Sequence, residues 1–156
     1  MLGGAGDDQI EGGSVYGYID GGDGNDTILV SAGSFTLLGG AGDDHIAAGR
    51  AHSYIDGGAG DDTIQGGDEA HGGTGNDTLV GTPEADYLYG DDGDDLLFGY
   101  GEDWLYGGAG NDTYAFIRGS GIVHIVDDAG IHRIPLLSYA LAPSGHGGPH
   151  MYAPIP

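Results

Sequence analysis

The chain has 156 residues, 36 of them Gly, and sets 25 Asp plus Glu against 3 Lys plus Arg for a formal net charge of −22. That length bounds a single domain, and the charge opposes compaction unless cations are bound, which argues against nucleic acid or an anionic membrane as a partner. There is no Cys, so disulfides and thiolate metal sites are excluded, and no run approaches the roughly 18 consecutive apolar residues of a membrane span.

High Gly and high net charge are also a signature of disorder. Against that reading, apolar residues make up 38% of the chain and recur at fixed spacing. The opening residues, MLGGAGDD, lack the basic start and apolar run of a signal peptide. They enter in mid-repeat, as a piece of a longer protein would.

Laid out in nines from Gly3, the chain reads GGAGDDQIE, GGSVYGYID, GGDGNDTIL, VSAGSFTLL, GGAGDDHIA, AGRAHSYID and GGAGDDTIQ. The eighth place is always apolar: Ile10, Ile19, Ile28, Leu37, Ile46, Ile55 and Ile64. A GGxGxD loop stands only in alternate rows, so the unit is 18 residues with one good loop and one degenerate one. The register slips through the short row GGDEAH and resumes at Gly72 with GGTGNDTLV, GTPEADYLY, GDDGDDLLF, GYGEDWLY and GGAGNDTYA. Good loops therefore begin at Gly3, Gly21, Gly39, Gly57, Gly72, Gly90 and Gly107.

An 18-residue coil has room for two short strands joined by two turns, and stacked coils pair their strands in parallel about 4.8 Å apart. The eighth-place residues point inward and their neighbours outward. Two aliphatic side chains per coil form too thin a core to offset the ordering of 18 residues. Metal must supply the difference. Glycines permit turns that aim carbonyl oxygens at one point, and the Asp adds charge. Such oxygens at a flexible site suit Ca²⁺, whereas Mg²⁺ prefers a stricter octahedron and zinc prefers His or Cys. One loop offers about three oxygens, and two stacked loops offer about six of the 6–8 that Ca²⁺ takes. The sites therefore lie between coils.

The rows from Gly3 to Ala115 closely resemble the haemolysin-type calcium-binding repeats of the repeats-in-toxin (RTX) family. The resemblance implies an all-β, right-handed parallel β-roll of about seven coils, here residues 1–115. A C-terminal cap is expected over 116–140, and the Pro, Gly and His of 141–156 read as a flexible tail. The resemblance also implies ligands: the second and fourth carbonyls and the sixth Asp of one loop, with the first and third carbonyls and the sixth Asp of the loop one coil on. The first site is then Gly4, Gly6 and Asp8 with Gly21, Asp23 and Asp26. The next two are Gly22, Gly24 and Asp26 with Gly39, Ala41 and Asp44, and Gly40, Gly42 and Asp44 with Gly57, Ala59 and Asp62. Across the shortened row, Gly58, Gly60 and Asp62 join Gly72, Thr74 and Asp77. Gly73, Gly75 and Asp77 then join Gly90, Asp92 and Asp95, and Asp91, Gly93 and Asp95 join Gly107, Ala109 and Asp112. Seven loops thus make six complete Ca²⁺ sites on one edge. The opposite edge has no sixth-place Asp in its first half, and only Asp86 and Asp103 offer a candidate pair for one further ion there.

From Thr113 the text turns richer in Ile, Val and aromatics, as a cap over an apolar coil end requires, with Tyr114, Phe116, Ile122, Ile125, Ile131 and Ile134 expected inside. The tail from Leu141 holds His146 and His150, a weak transition-metal candidate against the reading of a flexible segment. Outward aromatics gather on the weaker face at Tyr18, Tyr54, Tyr87, Tyr89, Trp104 and Tyr106, with Phe98 on the other sheet. They read either as a glycan-binding surface centred on Tyr87, Trp104 and Tyr106 or as ordinary cross-strand packing. No Ser, Cys or His stands in a recognisable catalytic arrangement, so catalytic residues are not expected. The family resemblance further implies a secreted, extracellular bacterial protein exported through a type I secretion channel, although a tail ending in Pro departs from the usual export signal.

Overall fold

A computed structural model describes residues 1–13, 15–116 and 121–126. Every element among them is a strand: Leu2–Ala5 (β1), Gln9–Gly12 (β2), Tyr16–Asp23 (β3), Thr27–Ala41 (β4), His45–Ala59 (β5), Thr63–Gly66 (β6) and Glu69–Thr74 (β7). Then follow Thr78–Val80 (β8), Tyr87–Asp92 (β9), Leu96–Gly99 (β10), Trp104–Ala109 (β11), Thr113–Phe116 (β12) and His124–Val126 (β13). All pairings are parallel and join strands that lie one coil apart, so a single sheet winds round on itself as a β-roll.

The register is the eighth-place column made physical. On one wall Ile10, Ile28, Ile46, Ile64, Leu79, Leu97 and Tyr114 pair in turn. On the other, Ile19, Leu37, Ile55, Ala70, Leu88, Leu105 and Ile125 do the same. Nearly all are buried and together form the core, because alternation along each strand turns every second side chain inward. A one-residue slip would turn the whole column outward, so the pattern fixes the register.

The shortened row keeps this register. Gly66 and Gly67 both adopt positive φ (90° and 85°) and tighten the corner, which delivers Ala70 to the inward place opposite Ile55 and Leu88.

The second edge differs from the expected strand–turn alternation. β4 and β5 run for 15 residues each, straight through the degenerate rows, and pair with each other around the corner from Thr27 to Ala41. Without the GGxGxD turn the strand pairing runs on round the corner, which β4 turns at Gly33 (φ 115°), and Val30, Phe35 and Ala48 are buried there.

Past residue 115 the roll continues: His124–Val126 pairs with β11 in the established phase, and Val123 and Ile125 pack on the core. Ile122, expected inside, is 51% exposed, because its neighbours Val123 and Ile125 take the inward phase of the strand. Ile131, Ile134 and the tail with His146 and His150 lie outside the described residues.

Candidate metal centre

The seven GGxGxD loops stack into one column along the first edge. Their sixth-place aspartates form a ladder in which each backbone N–H donates to Oδ1 of the next coil's Asp. Asp8 donates to Asp26 at 2.8 Å, Asp26 to Asp44, Asp44 to Asp62 and Asp62 to Asp77 at 2.7 Å, Asp77 to Asp95 at 2.8 Å and Asp95 to Asp112 at 3.0 Å. The second carboxylate oxygen behaves differently. Oδ2 of Asp26, Asp44, Asp62, Asp77 and Asp95 is buried and accepts no hydrogen bond. Five buried anionic oxygens without donors, one per coil, are an arrangement that a protein tolerates only with a cation or a proton in place.

Burial is the first cause of the resulting shifts. It holds the carboxyls of Asp62 and Asp95 up at about 7 and that of Asp77 at about 6, and raises Asp44. Carboxylates on adjacent coils add repulsion in the same direction.

The first-place glycine shows why no side chain is allowed. A Cβ on Gly57 would stand 2.3 Å from Oδ2 of Asp62 and 2.6 Å from the carbonyl oxygen of Gly72 in the next loop. The same two kinds of oxygen crowd Gly21, Gly39, Gly72 and Gly90. The implied ligand pair of sixth Asp and next first carbonyl is therefore brought together, in a cradle that only Gly leaves open. Gly57 lacks a positive φ, so room alone demands Gly there, whereas Gly58 (φ 108°) and Gly60 (φ 131°) are needed for their conformation.

The third-place carbonyls of Asp23, Ala41, Ala59, Thr74, Asp92 and Ala109 face back toward the preceding loop. Each accepts the N–H of its fourth-place glycine at 2.6–2.9 Å. A carbonyl has two lone pairs, so one remains for an ion. The second place in the sixth loop is Asp91, the one positive-φ non-glycine residue among those described (φ 72°), and its carboxylate accepts from His71 Nδ1 at 2.9 Å. Among the described residues no three His, Cys, Asp or Glu side chains converge as a metal cluster. The implied sites call on two aspartates and backbone carbonyls instead, a donor set of hard oxygens that fits Ca²⁺.

One set of residues in the loops goes beyond the sequence reading, which left the fifth place open. Asp7, Asn25, Asp43, Asp61, Asn76 and Asp94 each accept, through Oδ1, the backbone N–H of the fifth-place residue one coil later, at 2.7–3.1 Å. This ladder runs opposite in sense to that of the sixth place. The signal was legible: all seven fifth places hold Asp or Asn, the last being Asn111.

At the far end of the column the eighth place holds Tyr114 in place of an aliphatic residue. Its hydroxyl lies 2.2 Å from the point where a Cβ on Gly107 would stand, and Oδ2 of Asp112 lies at the same distance from that point. In the other loops a carbonyl of the next coil takes this position. Tyr114 supplies the oxygen that an eighth loop would have brought.

On the second edge Asp86 and Asp103 are brought together by the same ladder, with the N–H of Asp86 donating to Oδ1 of Asp103 at 3.1 Å. Their Oδ2 atoms are already engaged. Thr82 donates to Asp86 from its N–H and its hydroxyl, and the N–H groups of Tyr100 and Gly101 donate to Asp103. Burial raises the Asp86 carboxyl to about 6 in spite of the two Thr82 donors.

The outward aromatics form two files along the stack. His71, Tyr89 and Tyr106 stack at centroid distances of 4.4 and 4.5 Å, and Tyr87, Trp104 and His124 at 6.4 and 4.3 Å, with ring planes within 14° throughout. The close His71–Tyr89–Tyr106 file is cross-strand packing, whereas Tyr87 and Trp104 stand farther apart and remain 45% and 36% exposed.

Fold and site together define a calcium-binding parallel β-roll. A family model of the RTX calcium-binding nonapeptide repeat, in four copies, matches residues 1–15, 18–34, 38–70, 71–101 and 99–116, and the chain belongs to that family. No curated protein matches the chain. No helix among the described residues is long and apolar enough to cross a membrane.

Proposed function

We propose that the chain is a module whose folding and calcium binding are one equilibrium, with six ions held between its seven loops by the residues that the family resemblance implies. The observation that carries this reading is the column of buried, donorless Oδ2 atoms from Asp26 to Asp95. Six ions add about +12, close to half the net charge of −22, so the metal-free chain faces both self-repulsion and unsatisfied buried oxygens. The module is then disordered where calcium is scarce and rigid where it is abundant. That behaviour suits a segment of a secreted bacterial protein that crosses a type I channel unfolded and folds outside. The activity assigned to this chain is calcium binding, and any catalysis belongs to other parts of a parent protein.

The test is a calcium titration of the full chain followed by circular dichroism and calorimetry. Above about pH 7, where these carboxyls are ionised, a β spectrum that appears only with calcium, at six ions per chain, is expected. A β spectrum unchanged by chelation at that pH overturns the reading.

A further inference from the structure

The two edges of the roll use the same aspartate ladder and treat its second oxygen in opposite ways. On the first edge Oδ2 of Asp77 and Asp95 accepts nothing; on the second edge Oδ2 of Asp86 accepts the Thr82 N–H at 2.5 Å and the Thr82 hydroxyl at 2.9 Å. Oδ2 of Asp103 accepts the N–H groups of Tyr100 at 2.7 Å and Gly101 at 3.0 Å. Both aspartates are fully buried, so these donors replace water and do so completely enough that neither carboxylate lacks partners. Four N–H and O–H groups aimed at the two oxygens also present positive ends where a cation would have to sit.

We propose that Asp86 and Asp103 form a hydrogen-bond clasp with Thr82, Tyr100 and Gly101 that closes the second edge without calcium, so that this pair takes no ion. The proposal rests on the calcium reading of the first edge, because it defines the second edge by contrast. Sequence supports the assignment of roles. The row GTPEADYLY has Thr and Pro at its second and third places, where six of the seven calcium loops have a glycine followed by a variable residue, and GYGEDWLY lacks one residue of the nine. The missing residue takes one carbonyl out of the second row, and in both rows the corner brings donors to the carboxylate: the Thr82 N–H and hydroxyl to Asp86, and the Tyr100 and Gly101 N–H groups to Asp103. The clasp also sits directly before the stacked pair Tyr87 and Trp104, and Trp104 donates its N–H to the carbonyl of Asp86 at 2.8 Å. These two coils are therefore fastened on their second edge by groups that the chain carries itself.

The experiment is ion counting by native mass spectrometry and calorimetry on the full chain, with Asp86→Asn, Asp86→Ala, Asp103→Asn and, as the control, Asp77→Asn. An amide oxygen at position 86 still accepts from Thr82, so Asp86→Asn folds with an unchanged ion count. Asp86→Ala strips the clasp and lowers the urea midpoint in saturating calcium, again with an unchanged count. Asp103→Asn keeps the count as well and serves as the second readout if either variant at 86 fails to fold. Loss of one ion in Asp86→Asn or Asp103→Asn overturns the clasp while leaving the first edge intact, provided Asp77→Asn also loses ions. If Asp77→Asn loses none, the calcium reading of the first edge has failed instead.

Discussion

The backbone N–H of Asp44 donates to Oδ1 of Asp62 at 2.7 Å, while Oδ2 of the same buried carboxylate accepts nothing. One oxygen builds the ladder and the other is left for an ion. Asp62→Asn separates the two tasks, since the amide oxygen still accepts from Asp44 but the NH₂ stands where the column needs negative charge. Asp62 enters two of the implied sites, so this variant is expected to lose up to two ions. Its calcium midpoint should rise at least tenfold, or about 1.4 kcal/mol. Native mass spectrometry and a circular dichroism titration check it.

The adjacent Asp61 gives the contrast. It is exposed and serves only the fifth-place ladder, accepting from the Asn76 N–H at 2.7 Å and from Nδ2 at 3.2 Å. Asp61→Asn retains an acceptor oxygen and is expected to leave the ion count unchanged and stability within about 0.5 kcal/mol. Asp61→Ala removes the acceptor and costs about 1 kcal/mol, read as a shift in the urea midpoint.

Acid acts on the two forms of the chain in opposite directions. In the metal-free roll Asp62 and Asp95 stand at about 7 and Asp77 at about 6, above the ordinary carboxylate value of the unfolded chain. The folded state then binds more protons than the unfolded state between about pH 4 and 7, so metal-free stability is greatest below that window and is lost as pH rises through it. Protons compete with calcium for the same oxygens. The calcium midpoint is expected to rise as pH falls from 7 to 5, while the chelated chain gains β signal over the same range. Circular dichroism at several pH values, with and without chelator, measures both.

Gly57→Ala places a methyl group 2.3 Å from Oδ2 of Asp62 and 2.6 Å from the carbonyl of Gly72, at a position whose own φ is ordinary for an L-residue. It should abolish at least one site and raise the calcium midpoint more than tenfold. Gly13→Ala, where a Cβ meets nothing within 4 Å, is the matched control and is expected to be silent in the same titration.

Tyr114→Phe keeps the buried ring and removes the hydroxyl that converges with Oδ2 of Asp112. A loss of about 1 kcal/mol is expected in saturating calcium, the scale of one buried hydrogen-bonding group removed. An unchanged urea midpoint would show that the hydroxyl closes nothing.

The roll itself was written in local terms. A period of nine with an aliphatic eighth place admits one inward face, and strand alternation converts it directly into the columns that begin at Ile10 and Ile19. The loop glycines and aspartates likewise announce their chemistry, because backbone freedom and charge are properties of single residues; the fifth-place acceptors too are visible as an unbroken file of Asp and Asn.

What only the tertiary structure decided depends on which groups meet across coils. Asp86 and Asp77 are both sixth-place aspartates, yet one is satisfied by Thr82 and the other is not, a distinction made by the path of the corner. The same holds for the extended second edge through β4 and β5, for the outward turn of Ile122, and for the Tyr114 hydroxyl that ends the column. A repeat fixes its period from within one unit, whereas the partner of each oxygen is set by the unit stacked above or below it.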